Sequence, residues 1–409
     1  MPIEFQHDSP KTVPGVTCGA VVANIKKPGR KDLVLFDTGE HSTVACVTTQ
    51  NLMAAAPVHL VRKHLNAQPR ATQTGRYWLI NTGYANAATG PGGDAAALEV
   101  CEHLAQELKV PLSSILPFST GVIGEPLPVK TITQALPELV NNLNESHWLD
   151  AMHGIITTDT QYKLVNQTIQ WGSKQSFIVQ GIAKGAGMIK PNMATMLGFI
   201  TTDLVIPQEN LEVILKQAVD TSFNQISVDS DTSTNDCVAI GATGASGLDI
   251  TSDPELFRVA TEVIQEVCLG LALQIIKDGE GATKLVHIQV QGALTQSIAK
   301  AIAESVAHSP LLKAAFFASD PNWGRILMAI GKVENSGMDP MTLEVELCGL
   351  PLFNNGSRAP SYVEQQFITA MQSDTITVFI DLHNGSGDYE IWGNDLSYEY
   401  VQINADYRS

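Results

Sequence analysis

The stretch KGAGMIKPNMATMLGFITTD, residues 184–203, places a threonine where a glycine- and proline-bearing loop becomes a strand-like run. A threonine hydroxyl is a poor nucleophile unless a base lies beside it. A threonine that heads its own chain carries that base, because its α-amine can take the hydroxyl proton. The reference pKa of such an amine, about 7.7–8.0, leaves much of it neutral near pH 8, whereas lysine or aspartate would need larger shifts. To free the amine, the bond between Ala194 and Thr195 must be cut. The small Ala194 side chain leaves room for the Thr195 hydroxyl to attack the carbonyl before it, an N→O acyl shift followed by ester hydrolysis. Gly185, Gly187 and Pro191 build a loop that can be strained for this step. On spacing alone Thr195 reads first as an ordinary β-forming residue, and Lys184 as a solvated loop charge.

Other motifs carry less. VDSDTSTND (228–236) has the carboxylate density of a calcium loop, but the sixth and twelfth residues counted from Asp229 are Thr234 and Ile240, not Gly and Glu. GATGASG (241–247) and GPGG (90–93) fit neither GxGxxG between strand and helix nor a P-loop, and read as turns or tight backbone contacts. HExxH and GxSxG are absent, and no other histidine spacing suggests ligands, so no metal is expected. In DPNWGR (320–325), Pro321 and Gly324 are expected to shape a turn with Trp323 packed beneath it, leaving Arg325 open.

The elements that must position these residues are legible in part. Asp94 can cap a helix with Leu98, Cys101, Leu104, Ala105 and Leu108 on one face, and Pro207 can start another with Leu211, Ile214, Leu215 and Ala218 inward. The clearest helix runs from Pro254 to Lys277, with Gly279 expected as its left-handed stop. Ser309-Pro310 reads as an N-cap and first-turn proline. Expected strands are 32–36, 43–49, 76–81, 176–183, 195–202, 284–291, 342–348, 375–382 and 398–407. Strands and helices come in mixed order, which favours a layered α+β fold over a doubly wound parallel sheet.

Composition bounds the rest. The chain has 409 residues, enough for two or three core-sized units, and a formal net charge of −17. So acidic a surface argues against nucleic acid and anionic membrane as partners. The six cysteines are scattered, with no CxxC pair, and read as buried apolar residues in a reducing compartment. The N-terminus lacks the basic and apolar regions of a signal peptide, and no apolar run approaches a membrane span. A cytoplasmic protein is expected.

Beyond the cleavage stretch, IKKPGRKDLVLF (25–36), AAAPV (54–58), INTGYANAATG (80–90), STGVIGEPLP (119–128), TTDT (157–160), SFNQISVDSDTSTND (222–236), DGEGATK (278–284), DPNWGRI (320–326) and VQINADYRS (401–409) follow in order. Together these blocks resemble the glutamate N-acetyltransferase/ornithine acetyltransferase family of arginine biosynthesis over nearly the whole chain. Three positions depart from it: Tyr84 stands where Asn is expected, Ser230 where Gly is expected, and the glycine expected just before Asp320 is missing.

The resemblance implies an α/β/β/α sandwich like that of N-terminal-nucleophile enzymes. It implies self-cleavage between Ala194 and Thr195 into an α chain (1–194) and a β chain (195–409). Thr195 would carry the acetyl group of N2-acetylornithine to L-glutamate, with Thr120 and Gly121 as the oxyanion pair. Thr157, Lys184, Thr195, Glu280, Asn404 and Ser409 would bind substrate, with Thr158 the neighbour of uncertain register to Thr157. No cofactor is implied; a bifunctional member would also take acetyl-CoA as donor. A heterotetramer of two α and two β chains is the family's assembly. The competing readings are an N-terminal-nucleophile amidohydrolase or aminopeptidase that passes the acyl group to water, and a small-molecule-binding protein that is never cut.

Overall fold

The computed structural model describes residues 3, 5, 8–67, 74–190 and 196–406. Ala194, Thr195 and Ser409 lie outside them. Along the chain the strands are β1 (Thr17–Val21), β2 (Leu33–Asp37), β3 (Thr43–Thr48), β4 (Tyr77–Tyr84), β5 (Ile115–Val122), β6 (Lys163–Trp171), β7 (Gln175–Lys184), β8 (Leu197–Thr202), β9 (Ile226–Ser227), β10 (Cys237–Ala242), β11 (Leu285–Ala293), β12 (Glu344–Leu347), β13 (Leu350–Asn354), β14 (Ser357–Arg358), β15 (Thr375–Asp381) and β16 (Gly387–Asn394). The helices are α1 (Ala56–Leu65), α2 (Gly90–Leu108), α3 (Val129–Asn141), α4 (Trp148–Ile155), α5 (Gln208–Asp220), α6 (Pro254–Lys277), α7 (Gln296–Ala307), α8 (Pro310–Phe317), α9 (Trp323–Gly331), α10 (Glu364–Ala370) and α11 (Tyr398–Ala405). They fall into a larger unit (6–224 and 231–275) and a smaller one (1–5, 225–230 and 276–409), so compactness does not divide at residue 194.

The larger unit holds two sheets, ordered β1-β2-β4-β5 and β3-β10-β8-β7-β6. Period-two patterning decides what each face meets. On β2, Leu33 and Leu35 join Val100 and Leu104 of α2 and Ile132 and Leu136 of α3. Val34 and Phe36, pointing the other way, join Ile182, Phe199 and Ala239 of the second sheet. Phe199 lies 5.9 Å from Phe36 and 5.1 Å from Phe118 between ring centroids, so aromatic packing bridges the sheets. On the far face of the second sheet, α6 sits close to β7 because Gly181 has no side chain; a Cβ there would lie 2.7 Å from Leu271. Helix α5 covers the same face, packing along β3 and β10 with Leu211, Ile214, Leu215 and Ala218 buried. The result is the expected order of layers, helix–sheet–sheet–helix. Within it, β8 pairs antiparallel with β7 and parallel with β10, so the strand ending at Lys184 and the strand beginning at Leu197 are neighbours in one sheet.

The smaller unit has one sheet, β14-β13-β12-β15-β11-β16-β9. Ile302 and Val306 of α7, Leu312 and Phe316 of α8 and Ile326 and Ile330 of α9 pack with Ile288, Val290, Val378 and Ile380 of that sheet.

Several expectations change. The run expected as a strand from 398 is helical where it is described: helix α11 occupies Tyr398–Ala405 and buries none of its residues. Its tyrosines, valine and isoleucine are β-formers, but in so short a run alternation does not decide. Glu399, Gln402 and Ala405 favour helix, and the Asn404 amide donates back one turn to the Tyr400 carbonyl (3.0 Å). GPGG is the first turn of α2, with Pro91 inside it and Thr89 rather than Asp94 at the N-cap. DPNWGR is likewise a helix start: Asn322 caps α9, Trp323 packs on the core and Arg325 donates to the Leu311 carbonyl (2.6 Å). Gly279 is not the left-handed stop after α6; Gly281 takes that conformation at φ +69°, and Gly279 is small because a Cβ would lie 2.7 Å from the Asn394 amide. Helix α6 is also apolar and long enough to cross a membrane by composition. It is a core helix nonetheless, with Leu256, Ile264, Leu271 and Ile275 buried and Arg258 paired with Glu255 and Glu262 on its outer side.

Two departures from the family pattern acquire a physical meaning. Ser230 has φ +65°, and Ser319, just before Asp320, has φ +51°. Both serines hold left-handed conformations that favour glycine. Ser230→Gly is expected to raise stability by about 0.5–1 kcal/mol, read from the urea midpoint. An unchanged or lower midpoint would show that the serine is not strained.

Candidate active site

In the larger unit the site starts where β4 and β5 run parallel, Gly83 opposite Gly121. Gly121 has φ +135°, and a Cβ there would fall 2.2 Å from the Gly83 carbonyl carbon and 2.6 Å from the Tyr84 nitrogen. No other residue fits. Thr120 is buried beside it, and Asn235 fastens the strand end by donating to the carbonyls of Ser119 (2.9 Å) and Ala85 (2.6 Å). From the other sheet Lys184, the last residue of β7 and also buried, reaches Thr120: its Nζ donates to Thr120 Oγ1 at 3.3 Å. Thus Thr120, Gly121 and Lys184, far apart in sequence, converge at one edge of the sandwich.

Thr157 reaches the same place through a group that sequence patterning missed. The enclosed Asp159 carboxylate accepts from the Thr157 N–H (2.9 Å), from the Gly185 N–H next to Lys184 (2.7 Å) and from Lys163 Nζ. Arg30 donates to the carbonyls of Ile156 and Thr157. Burial would push the Asp159 carboxyl up, but Lys163, Lys184 and its hydrogen-bond donors outweigh that and hold it well below the usual carboxylate range. One carboxylate therefore fixes both Thr157 and the Lys184 turn. Asp159→Asn leaves lysine charge enclosed without its counter-ion and is expected to cost about 3–5 kcal/mol at pH 7. Because the folded pKa is depressed, that stabilisation is complete above about pH 4 and fades as pH falls toward the folded value. Urea melts of wild type and variant should converge below about pH 4; a constant gap would contradict the assignment.

In the smaller unit, Glu280 is buried just past α6, and the Asn404 amide donates to its Oε2 at 2.8 Å. The two expected substrate residues at opposite ends of this unit's sequence are therefore paired, with Asn404 presented by α11. Gly281 lets that helix press on the loop: a Cβ would lie 2.6 Å from the Tyr400 nitrogen and the Ser397 hydroxyl, which donates to the Gly281 carbonyl (2.7 Å). Lys313, wholly buried, donates to the Asn394 carbonyl (2.6 Å) and amide oxygen (2.7 Å); burial lowers its pKa to about 8 against the pull of Asp395 and Asp229. Nothing in the spacing of Lys313 or Asp159 marked either residue. Only the fold brings their partners to them.

The sequence profile of the ArgJ family matches residues 17–409. The chain belongs to the ArgJ family. It is similar to the arginine biosynthesis bifunctional protein ArgJ of Pseudomonas syringae pv. tomato, 45% identical over 399 residues that cover 97% of each chain. It is 42% identical to the protein of that name from Colwellia psychrerythraea, over the whole of both. Among solved structures, the Bacillus halodurans arginine biosynthesis bifunctional protein ArgJ is 34% identical, covering 51% of this chain and 97% of that one with a TM-score of 0.48. Mycobacterium tuberculosis ornithine acetyltransferase, solved with ornithine, is 30% identical over 44% of this chain and 93% of that one, TM-score 0.39. The ArgJ match includes every residue named above as a site.

Proposed function

We propose that the chain cuts itself between Ala194 and Thr195 and then moves the acetyl group of N2-acetylornithine to L-glutamate, yielding ornithine and N-acetylglutamate for arginine biosynthesis. The observation that carries this reading is the ArgJ family match across residues 17–409. In the mechanism, the Thr195 α-amine takes the proton of its own hydroxyl, and Oγ attacks the acetyl carbonyl. The oxyanion is met at Thr120 and Gly121, where preorganised donors act most strongly on charge that develops in the transition state. Collapse returns the proton to the departing amine, releases ornithine and leaves an acetyl-threonine ester; the glutamate amine then attacks the ester carbonyl, takes the acetyl group and frees the Thr195 hydroxyl. Lys184 and Thr157 bind the α-carboxylate common to both substrates. Glu280, with Asn404, receives the ornithine δ-ammonium, and Ser409 completes the substrate contacts. Acetyl-CoA is a second donor in this reading, and two α and two β chains assemble in the cytoplasm.

Incubation of the purified protein with N2-acetylornithine and glutamate tests the reading. N-acetylglutamate should accumulate in step with ornithine. Ornithine released with acetate and without N-acetylglutamate would instead support the amidohydrolase.

A further inference from the structure

Three hydroxyl residues meet where β4 and β5 end: Ser119, Thr120 and, directly opposite Thr120, Thr82. Each hydroxyl has one proton to donate and two lone pairs to accept with. Ser119 donates its proton to the Asn81 side-chain oxygen (2.6 Å), and Thr82 directs its own at the Asp32 carbonyl (3.5 Å). Thr120 differs. Its Oγ1 lies 3.3 Å from Lys184 Nζ, and an ammonium group can only donate, so the threonine oxygen is the acceptor in that contact. The Thr120 proton must then point elsewhere, and among the described residues no acceptor receives it. Thr120 and Lys184 are each only 9% exposed. A donor so enclosed and left unused is costly unless a bound molecule takes it. Both partners are also held in place. Asn235 donates to the carbonyl of Ser119, the residue before Thr120 (2.9 Å), and the Asp159 carboxylate accepts from the N–H of Gly185, the residue after Lys184 (2.7 Å).

We propose that Lys184 is a positioning residue for acyl transfer: by donating to Thr120 Oγ1 it turns the Thr120 proton away from itself and toward the substrate oxygen that becomes the oxyanion. The inference rests on the acetyl-transfer reading, in which Thr120 and Gly121 meet that oxygen. Within that reading the Thr120 donor is the side-chain O–H, and Lys184 sets its direction. The ammonium charge also polarises the hydroxyl, which strengthens the bond the hydroxyl donates as negative charge builds on the substrate. No proton passes between Lys184 and Thr120. Contact with a substrate α-carboxylate is a separate task, open to another N–H of the same ammonium group.

A double-mutant cycle tests this. Transfer from N2-acetylornithine to glutamate is measured for wild type, Thr120→Val, Lys184→Met and the double variant, as a rate per cleaved chain counted by intact mass. Thr120→Val keeps the side-chain shape and removes the hydroxyl, and a thermal melt of each protein checks the fold. Each single change is expected to lower kcat by about 10²-fold or more. The double variant should fall no further than the slower single one, because both changes disable the same donor. Thr120→Ser should recover most of the lost rate. Lys184→Gln replaces Lys184→Met in the cycle if the methionine variant yields no cleaved chain. Losses that multiply to about 10⁴-fold in the double variant would overturn the proposal. So would a Lys184 variant that raises KM and leaves kcat unchanged, which would make the lysine a carboxylate contact and no more. Equal kcat for Thr120→Val and Thr120→Ser would overturn it without any lysine variant, by showing that the hydroxyl is unused. A wild-type protein that is cut but forms no N-acetylglutamate would instead overturn the acetyl-transfer reading beneath it.

Discussion

Thr195→Ala is expected to remain one uncut chain of 409 residues and to lose acetyl transfer by at least about 10³-fold. Both losses come from one atom. In the proposed mechanism the hydroxyl that opens the Ala194–Thr195 bond is the one that later carries the acetyl group, so without Oγ neither an ester nor a free α-amine forms. The fold should not suffer. The strand that follows, β8, is buried along its whole length between β7 and β10, and its packing begins after the replaced side chain. Intact mass and a thermal melt therefore separate the effects: an uncut, stable, inactive protein is the expected outcome. Cleavage or transfer by Thr195→Ala would remove Thr195 as the nucleophile.

Gly121→Ala is expected to be the most damaging change of a single methyl group. At φ +135° an L-residue is strained wherever it is placed, and the new Cβ would meet backbone, 2.2 Å from the Gly83 carbonyl carbon. Backbone cannot move aside as a flexible side chain can, so the ends of β4 and β5 must part. The summed strain is about 3 kcal/mol of stability. Moving Thr120 and the strand end away from the developing oxyanion should lower kcat by about 10²–10³-fold, even at temperatures where the variant stays folded. Gly92→Ala is the control, because a Cβ there meets nothing within 4 Å. A Gly121→Ala protein with wild-type kcat would show that this turn is not the oxyanion site.

What could be read from residues alone was set by how local the cause was. Helix α6 was legible because its apolar residues, Leu256 to Ile275, step at helical spacing, and a layered α+β fold because strands and helices come in mixed order; the sandwich itself followed from the family resemblance. The missing glycines at Ser230 and Ser319 were legible as departures, and only the backbone showed that both carry left-handed φ. The C-terminal helix was not legible, because its β-forming side chains are solvated and no periodic apolar face marks it. Asp159 was invisible for a different reason. It lies in TTDT, where only Thr157 and Thr158 were singled out, and it gains its role only when segments distant in sequence bring Lys163, Lys184 and the Gly185 N–H around it. Glu280 and Asn404 could be named from the family pattern, but their direct hydrogen bond depends on helix α11.

The most direct measurement is the intact mass of wild-type protein incubated with N2-acetylornithine and no acceptor. Two chains of 194 and 215 residues are predicted, the second heavier by one acetyl group that maps to Thr195 and leaves when glutamate is added. An uncut chain that still transfers acetyl to glutamate, or an acetyl group held on any other residue, would contradict the account.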